Sequence, residues 1–336
     1  MLNDPIQVGR FILKNRLVMP PMATEKSAGG AVSDSLVRYY GEMSQGGYLG
    51  LIVLEHCYVS PEGKASPNQV SVAEESCIEP LRRIADTVHR NGVPLIAQIS
   101  HAGSAAPEKV TGTRPIAPSE VMNANTLFSR IVKLSLPREM TQDDIDRLIA
   151  CFADAAERVQ KAGFDGVEVH SAHGYLLGQF YSPLTNKRTN QYTGGTIEGR
   201  TKLQTQIIEA VREKCGADFL ISLRWGACDY ADGGAAPDEV PAAAKIFAGA
   251  GADLISISGN MCGYLCPGHS EQGYFAELSE AVKKSTSVPV LLTGGITEKD
   301  AAERLLAEGK TDLVGIGRAL LKNRKLAEVW MKQRIK

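Results

Sequence analysis

Residues 141–172 read TQDDIDRLIACFADAAERVQKAGFDGVEVHSA, and two periodicities meet in them. In the first part, Ile145, Leu148, Ile149, Phe152, Ala155, Ala156 and Val159 recur at helical spacing and make one apolar stripe. Thr141 and Asp144 form a capping-box-like start, with Asp in place of the usual Glu, and a glycine closes the segment. Then GVEVHSA, 166–172, runs almost continuously apolar, as a strand buried on both faces does. A helix leading into such a strand is the repeating unit of a parallel sheet with helical crossovers.

Outward from this stretch the unit recurs. Strand-like runs stand at LVMPPM (17–22), LGLIVLEHCYV (49–59), PLIAQIS (94–100), FLISLRW (219–225), LISISG (254–259), VPVLLTGGI (288–296) and DLVGIG (312–317). Helical segments such as SDSLVRYYGEMSQGG and TEKDAAERLLAEGK separate them. Eight alternations in one chain predict an α/β fold, a closed (β/α)8 TIM barrel, rather than a doubly wound sheet. No GxGxxG follows the first strand, which disfavours a dinucleotide-binding Rossmann domain. PIQVGRFILKN, before the first strand, reads as an N-terminal β-hairpin turning at Val8-Gly9-Arg10, placed to cap the barrel floor. Residues 101–140, with four prolines, read as a long excursion after strand three, over the catalytic face. One domain over 1–336 is the expected organisation.

Composition narrows the function. Lys plus Arg (37) nearly balance Asp plus Glu (38), so nothing in the charge argues for nucleic acid or a membrane surface. No apolar run reaches a membrane span. MLNDPIQVGRFIL has neither a basic start nor an apolar signal region, and the expected location is the cytoplasm. The seven cysteines show no paired metal spacing; the nearest two, Cys262 and Cys266 in MCGYLC, fit neither a redox CxxC nor a common zinc pattern.

In a barrel, chemistry gathers at the C-terminal ends of the strands. Those ends carry Pro21, Met22, Ala23 and Thr24; Glu55 and His56; Gln98 and His101; His170, His173 and Tyr175; Arg224; Gly294 and Gly295; and Gly317 and Arg318. Paired glycines in TGGI and GIGR let backbone N–H groups approach a phosphate, and Arg318 adds a charge-assisted contact; the competing reading is tight turns. Gln98, inside an apolar strand, offers a donor and an acceptor side by side, which suits a heterocycle edge carrying N–H and C=O. Arg224 is a cation on an interior strand, suited to a ring that gains negative charge, or to an ion pair with Glu168 or Glu55. His170 and His173 could bind a metal, polarise a substrate oxygen, or simply be satisfied in the structure.

At this point the residues are specific. HSAHGYLLGQFYSPLTNKRTNQYTGG resembles the signature of the Old Yellow Enzyme family of FMN-dependent ene-reductases, in a short form with a His-x-x-His substrate clamp. KNRLVMPPMAT, PLIAQISHAG, ISLRW, TGGI and GIGRALL support it, in the family's order, from residue 6 to about 325. The resemblance implies bound FMN with NADH or NADPH as reductant, and a small activated alkene as the substrate. Pro20, Pro21, Met22 and Ala23 would line the flavin ring, with His56 narrowing the pocket. Gln98 would bind its pyrimidine edge and Arg224 would lie near N1 and the C2 oxygen. Gly294, Gly295, Gly317 and Arg318 would hold the phosphate. His170 and His173 would bind the activating oxygen, Tyr175 would be the candidate acid, and Glu25 would stand near the substrate. The implied reaction is ping-pong hydride transfer to the C=C bond of α,β-unsaturated carbonyl or nitro compounds, and no metal.

Some positions depart from the family pattern. Ala23 stands where relatives often carry Thr or Cys, so a hydrogen bond to the flavin is missing unless Thr24 supplies one. Glu25 replaces a tyrosine of one branch. The chain ends soon after GIGRALLKNRKLAEVW, without the iron–sulfur motif and second nucleotide domain of larger relatives, so no internal electron relay is expected. An FMN dehydrogenase or demethylase acting on amines, a flavin-storing barrel and a metal-dependent hydrolase stay open, as does a homo-oligomer.

Overall fold

The computed structural model describes residues 1–125 and 134–332. Eight parallel strands form its centre: Leu17–Met19, Leu51–Tyr58, Leu95–Ser100, Gly166–Ser171, Leu220–Gly226, Leu254–Ser258, Val290–Thr293 and Leu313–Gly315. The eighth pairs with the first through Val314–Leu17 and Gly315–Val18, and the first with the second through Val18–Leu51, so the sheet closes into the expected barrel. A two-residue strand, Val70–Ser71, adds to the upper end of the second. Each consecutive strand pair is joined through a helix, among them Asp34–Ser44, Gln142–Lys161 and Lys299–Ala307. The helices bury their apolar stripes against the barrel's outer face, where Leu36, Leu148, Phe152, Ile207 and Phe247 belong to one continuous core.

The capping box at Thr141 is complete: its hydroxyl accepts from Asp144 N (3.1 Å) and its own N–H donates to Asp144 Oδ2 (2.9 Å). The N-terminal hairpin pairs Ile6–Val8 with Phe11–Leu13 around Gly9-Arg10. Val8 and Leu13 are buried with Val18, Leu51, Val53, Ile96, Leu220, Leu254, Leu291 and Leu313, an apolar plug closing the lower end of the barrel. Above it the interior turns polar. Gln98 and Ser222 each stand in register with Glu168, and His170 and Ser256 each with Arg224. Alternate residues of a strand face the same side, so the chain stacks a dry layer beneath two polar ones.

The excursion after the third strand contains a short helix, Glu108–Thr111, and a parallel pairing of Ile116–Ala117 with Arg138–Glu139. The expectation for residues 126–133 lies outside the described residues. Asn123 and Asn125 show that the excursion does reach the strand-four loop: their amides donate to the carbonyls of Gly174 and His173, both at 2.8 Å.

A candidate active site at the barrel mouth

Arg224 is buried on the fifth strand. Its Nη1 donates to Ser256 Oγ (3.0 Å) and Thr293 Oγ1 (3.4 Å), and its Nη2 to Ser258 Oγ (3.4 Å). Its Nε finds no partner. The expected alternative, an ion pair through contact with Glu168 or Glu55, is not what the guanidinium makes. Hydroxyls satisfy part of it and leave its charge available. Glu168 is its nearest counterweight, acting through space: burial raises the carboxyl, and Arg224 with three hydrogen-bond donors pulls it back. Gln98 Nε2 donates to Glu168 Oε1 at 2.8 Å, and Ser222 Oγ to Oε2 at 3.1 Å.

One strand residue above Glu168's neighbour Val169 stands His170, directly beside Arg224 in register. Its ring lies 5.2 Å from that of His173 and 4.9 Å from that of Tyr175. A strand end does not by itself bring residues i and i+3 together. Here it happens because His173 takes a left-handed backbone (φ 58°) and its N–H donates to Gly259 O, folding the loop back over the mouth. His170 Nδ1 is buried without a partner. His173 differs: its Nε2 is engaged by Ser258 Oγ at 2.7 Å. The pair is therefore not two equally free donors.

Burial holds His170 far below the ordinary imidazole range, helped by His173, His56 and Arg224. His173 is pushed down to about 3 and His56 to about 4, again chiefly by burial. Tyr175 is pushed up, mainly by burial, so its phenol keeps its proton. The cluster is thus a set of neutral N–H and O–H groups beside a fixed cation. Among the described residues no group of three or more His, Cys, Asp or Glu could hold a metal ion, so the metal reading of the two histidines finds no third ligand.

The rim comes from other strands. Pro20 is buried, Pro21 and Met22 half-buried, and Ala23 exposed. Thr24 cannot offer its hydroxyl proton upward, because it donates to Glu55 Oε2 at 2.7 Å. Glu25 also has a left-handed backbone (φ 55°) and accepts from Ser66 Oγ at 2.6 Å. The His56 ring is 5.8 Å from that of Tyr175 and bonds Gln69 through Nδ1 at 3.0 Å. His101, by contrast, turns into the excursion, where its Nδ1 accepts from Gly103 N at 3.0 Å.

Opposite, Gly294 and Gly295 leave strand seven. A Cβ on Gly295 would sit 2.7 Å from the Tyr274 ring, and one on Gly317 would sit 3.0 Å from Met22 Sδ. The Tyr274 hydroxyl accepts from Arg318 Nη2 (2.9 Å) and donates to the Tyr264 carbonyl (2.6 Å). Sequence reading missed Tyr274, Ser256 and Ser258. The two serines were discoverable, because LISIS places both on one face of an interior strand. Nothing local marks Tyr274, which arrives from a loop.

A family model, NADH:flavin oxidoreductase / NADH oxidase family, matches residues 1–336. An NADH oxidase of Thermoanaerobacter brockii is 38% identical over 322 residues, covering 94% of this chain and 48% of its own. The chain thus spans about half the length of that relative. An NADPH dehydrogenase of Clostridium acetobutylicum is 36% identical over 94% of this chain and 90% of its own length. The solved structure of an Old Yellow Enzyme homologue from Zymomonas mobilis shares the fold, with a TM-score of 0.83 over 100% of this chain and 94% of that one at 24% identity. The family's enzymes work with FMN and take electrons from NADH or NADPH. With that match running the full length, and the barrel built as the resemblance implied, the chain belongs to the NADH:flavin oxidoreductase / NADH oxidase family.

Proposed function

We propose that this chain binds FMN across the barrel mouth and reduces the activated C=C bond of small α,β-unsaturated carbonyl or nitro compounds, using NADH or NADPH. One observation carries the reading. A buried, unpartnered imidazole nitrogen, His170 Nδ1, stands beside His173 and Tyr175, next in register to a cation whose Nε is also unpartnered. An unpartnered buried polar atom calls for an explanation, and two of them side by side at the mouth of a barrel, where chemistry gathers, are explained by a ligand that completes their bonding.

The residues fit the cofactor. Gln98 and Arg224 offer the donors and acceptor that a flavin's pyrimidine edge needs, and Gly294, Gly295, Gly317 and Arg318 form a corner suited to its phosphate. FMN, when bound, carries reducing equivalents from the nicotinamide to the alkene. Arg224 supplies a fixed positive charge where the ring becomes electron-rich. His170 and His173 donate hydrogen bonds to the substrate's carbonyl or nitro oxygen, as an oxyanion hole does, and so draw electrons from the β-carbon. Ser258 holds the His173 ring for this task. Tyr175, protonated at neutral pH, gives its proton to the α-carbon. Pro20, Pro21, Met22, Ala23 and His56 exclude water around the ring, and Glu25 borders the substrate's entry.

The test is anaerobic stopped-flow with the FMN-loaded protein. NADH or NADPH should bleach the flavin, and an enone, nitroalkene or enoate should restore its colour. Protein that takes up no FMN, or whose reduced flavin no activated alkene reoxidises, sinks the proposal. Replacing both His170 and His173 by alanine should slow the alkene step by about 10²–10³-fold.

A further inference from the structure

Glu168 is wholly buried on the fourth strand, below the histidines and with no place in the chemistry above. Gln98 stands opposite it in register on the third strand and Ser222 opposite on the fifth. Both send donors to it: the Gln98 amide nitrogen at 2.8 Å and the Ser222 hydroxyl at 3.1 Å. A glutamine end is nearly symmetric in shape, and its oxygen and nitrogen exchange places by one torsion. The carboxylate form of Glu168, which Arg224 and its hydrogen-bond donors favour against burial, removes that freedom, because it only accepts. It draws the amide N–H₂ towards itself and leaves the carbonyl on the other side.

We propose that Glu168 is a positioning residue for cofactor recognition: it locks the Gln98 amide with its nitrogen anchored in the barrel and its oxygen presented to the mouth. The inference rests on the FMN reading and adds a specificity to it. The oxygen so presented selects a ring edge that carries an N–H, and the second amide hydrogen remains for the neighbouring carbonyl. Glu168 does this without touching the ligand. The anchoring distance is that of a good charge-assisted bond, and the layer below Gln98 and Glu168 is apolar and offers the amide no partner.

The experiment titrates apoprotein with FMN and with 3-methyl-FMN, in which the edge N–H is blocked, and reads the two dissociation constants by flavin fluorescence. The wild type should prefer FMN by about tenfold, the worth of one well-made buried hydrogen bond. In Glu168→Gln, whose amide can donate as well as accept, FMN should bind more weakly and the preference should shrink to about twofold or less. In a Gln98→Ala background the Glu168→Gln change should then have no further effect on the ratio. A merely structural role for Glu168 would weaken both flavins equally. Should Glu168→Gln not fold, Glu168→Asp, which keeps the charge but shortens the anchor, reads the same ratio. Wild-type preference retained in the variant that folds overturns the inference. Failure of the wild type to bind either flavin overturns it together with the FMN reading.

Discussion

His170, His173 and His56 are three imidazoles kept uncharged chiefly by burial, with Arg224 and His56 adding to the effect on His170 and His173. Most exposed histidines change charge between about pH 5 and 8. His173 and His56 titrate below that window and His170 is pushed the same way, so kcat/KM for a neutral enone should be flat across it as far as they are concerned. A limb near pH 6.5 that disappears in His170→Ala would refute this. Tyr175 sits at the other extreme, its proton held by burial. Tyr175→Phe should slow the alkene half-reaction by roughly 10²-fold and spare the nicotinamide half; equal rates of reoxidation in the variant and wild type would assign the proton to water. Most of this cluster was legible, because histidines and a tyrosine at a strand end are rare enough to be noticed. What could not be read was the asymmetry between the two histidines. It comes from Ser258, two strands away, and from a left-handed backbone at His173 that no local residue type announces.

The helix Gln142–Lys161 shows what one element contributes. Its start was visible in four residues, Thr141 to Asp144, because a capping box is a local device whose partners are close in sequence. Thr141→Ala should cost about 1 kcal/mol in urea unfolding. Asp144 is more than a cap: it also binds Arg138 at 2.6 Å and pairs with Arg147. The Arg138 hydrogen bond, ahead of the Thr141 contacts, holds its carboxyl well below the usual range. A depressed folded-state pKa gives stability that is complete above the unfolded value, about 3.9, and is lost as pH falls below it. Asp144→Asn should therefore lower the melting temperature at pH 6, and the gap from wild type should close towards pH 2. A gap that is constant with pH would refute that account. Strands were legible for a different reason. Burial on both faces leaves continuous apolar runs, and all eight strands lie within or beside the expected ones, most trimmed by one to three residues at an end and the fifth carried on to Gly226.

At the scale of the molecule, the hairpin before the first strand stabilises the barrel from the end opposite the chemistry. Leu13 is fully buried in the plug, whereas Ile12 beside it is 76% exposed. Leu13→Ala should cost about 2–5 kcal/mol, and Ile12→Ser should stay within about 0.5 kcal/mol. Both should bind FMN like the wild type, since the apolar layer separates them from Gln98 and Arg224. A changed FMN affinity in Leu13→Ala would show that the two ends are coupled. The plug also means that the barrel is a cup, not a pipe. Solvent has no passage along its axis, so every proton that Tyr175 surrenders must be replaced from above, past the same rim that admits reactants. Resupply and entry share one doorway, and whatever occupies that doorway also sets the pace at which the acid is recharged.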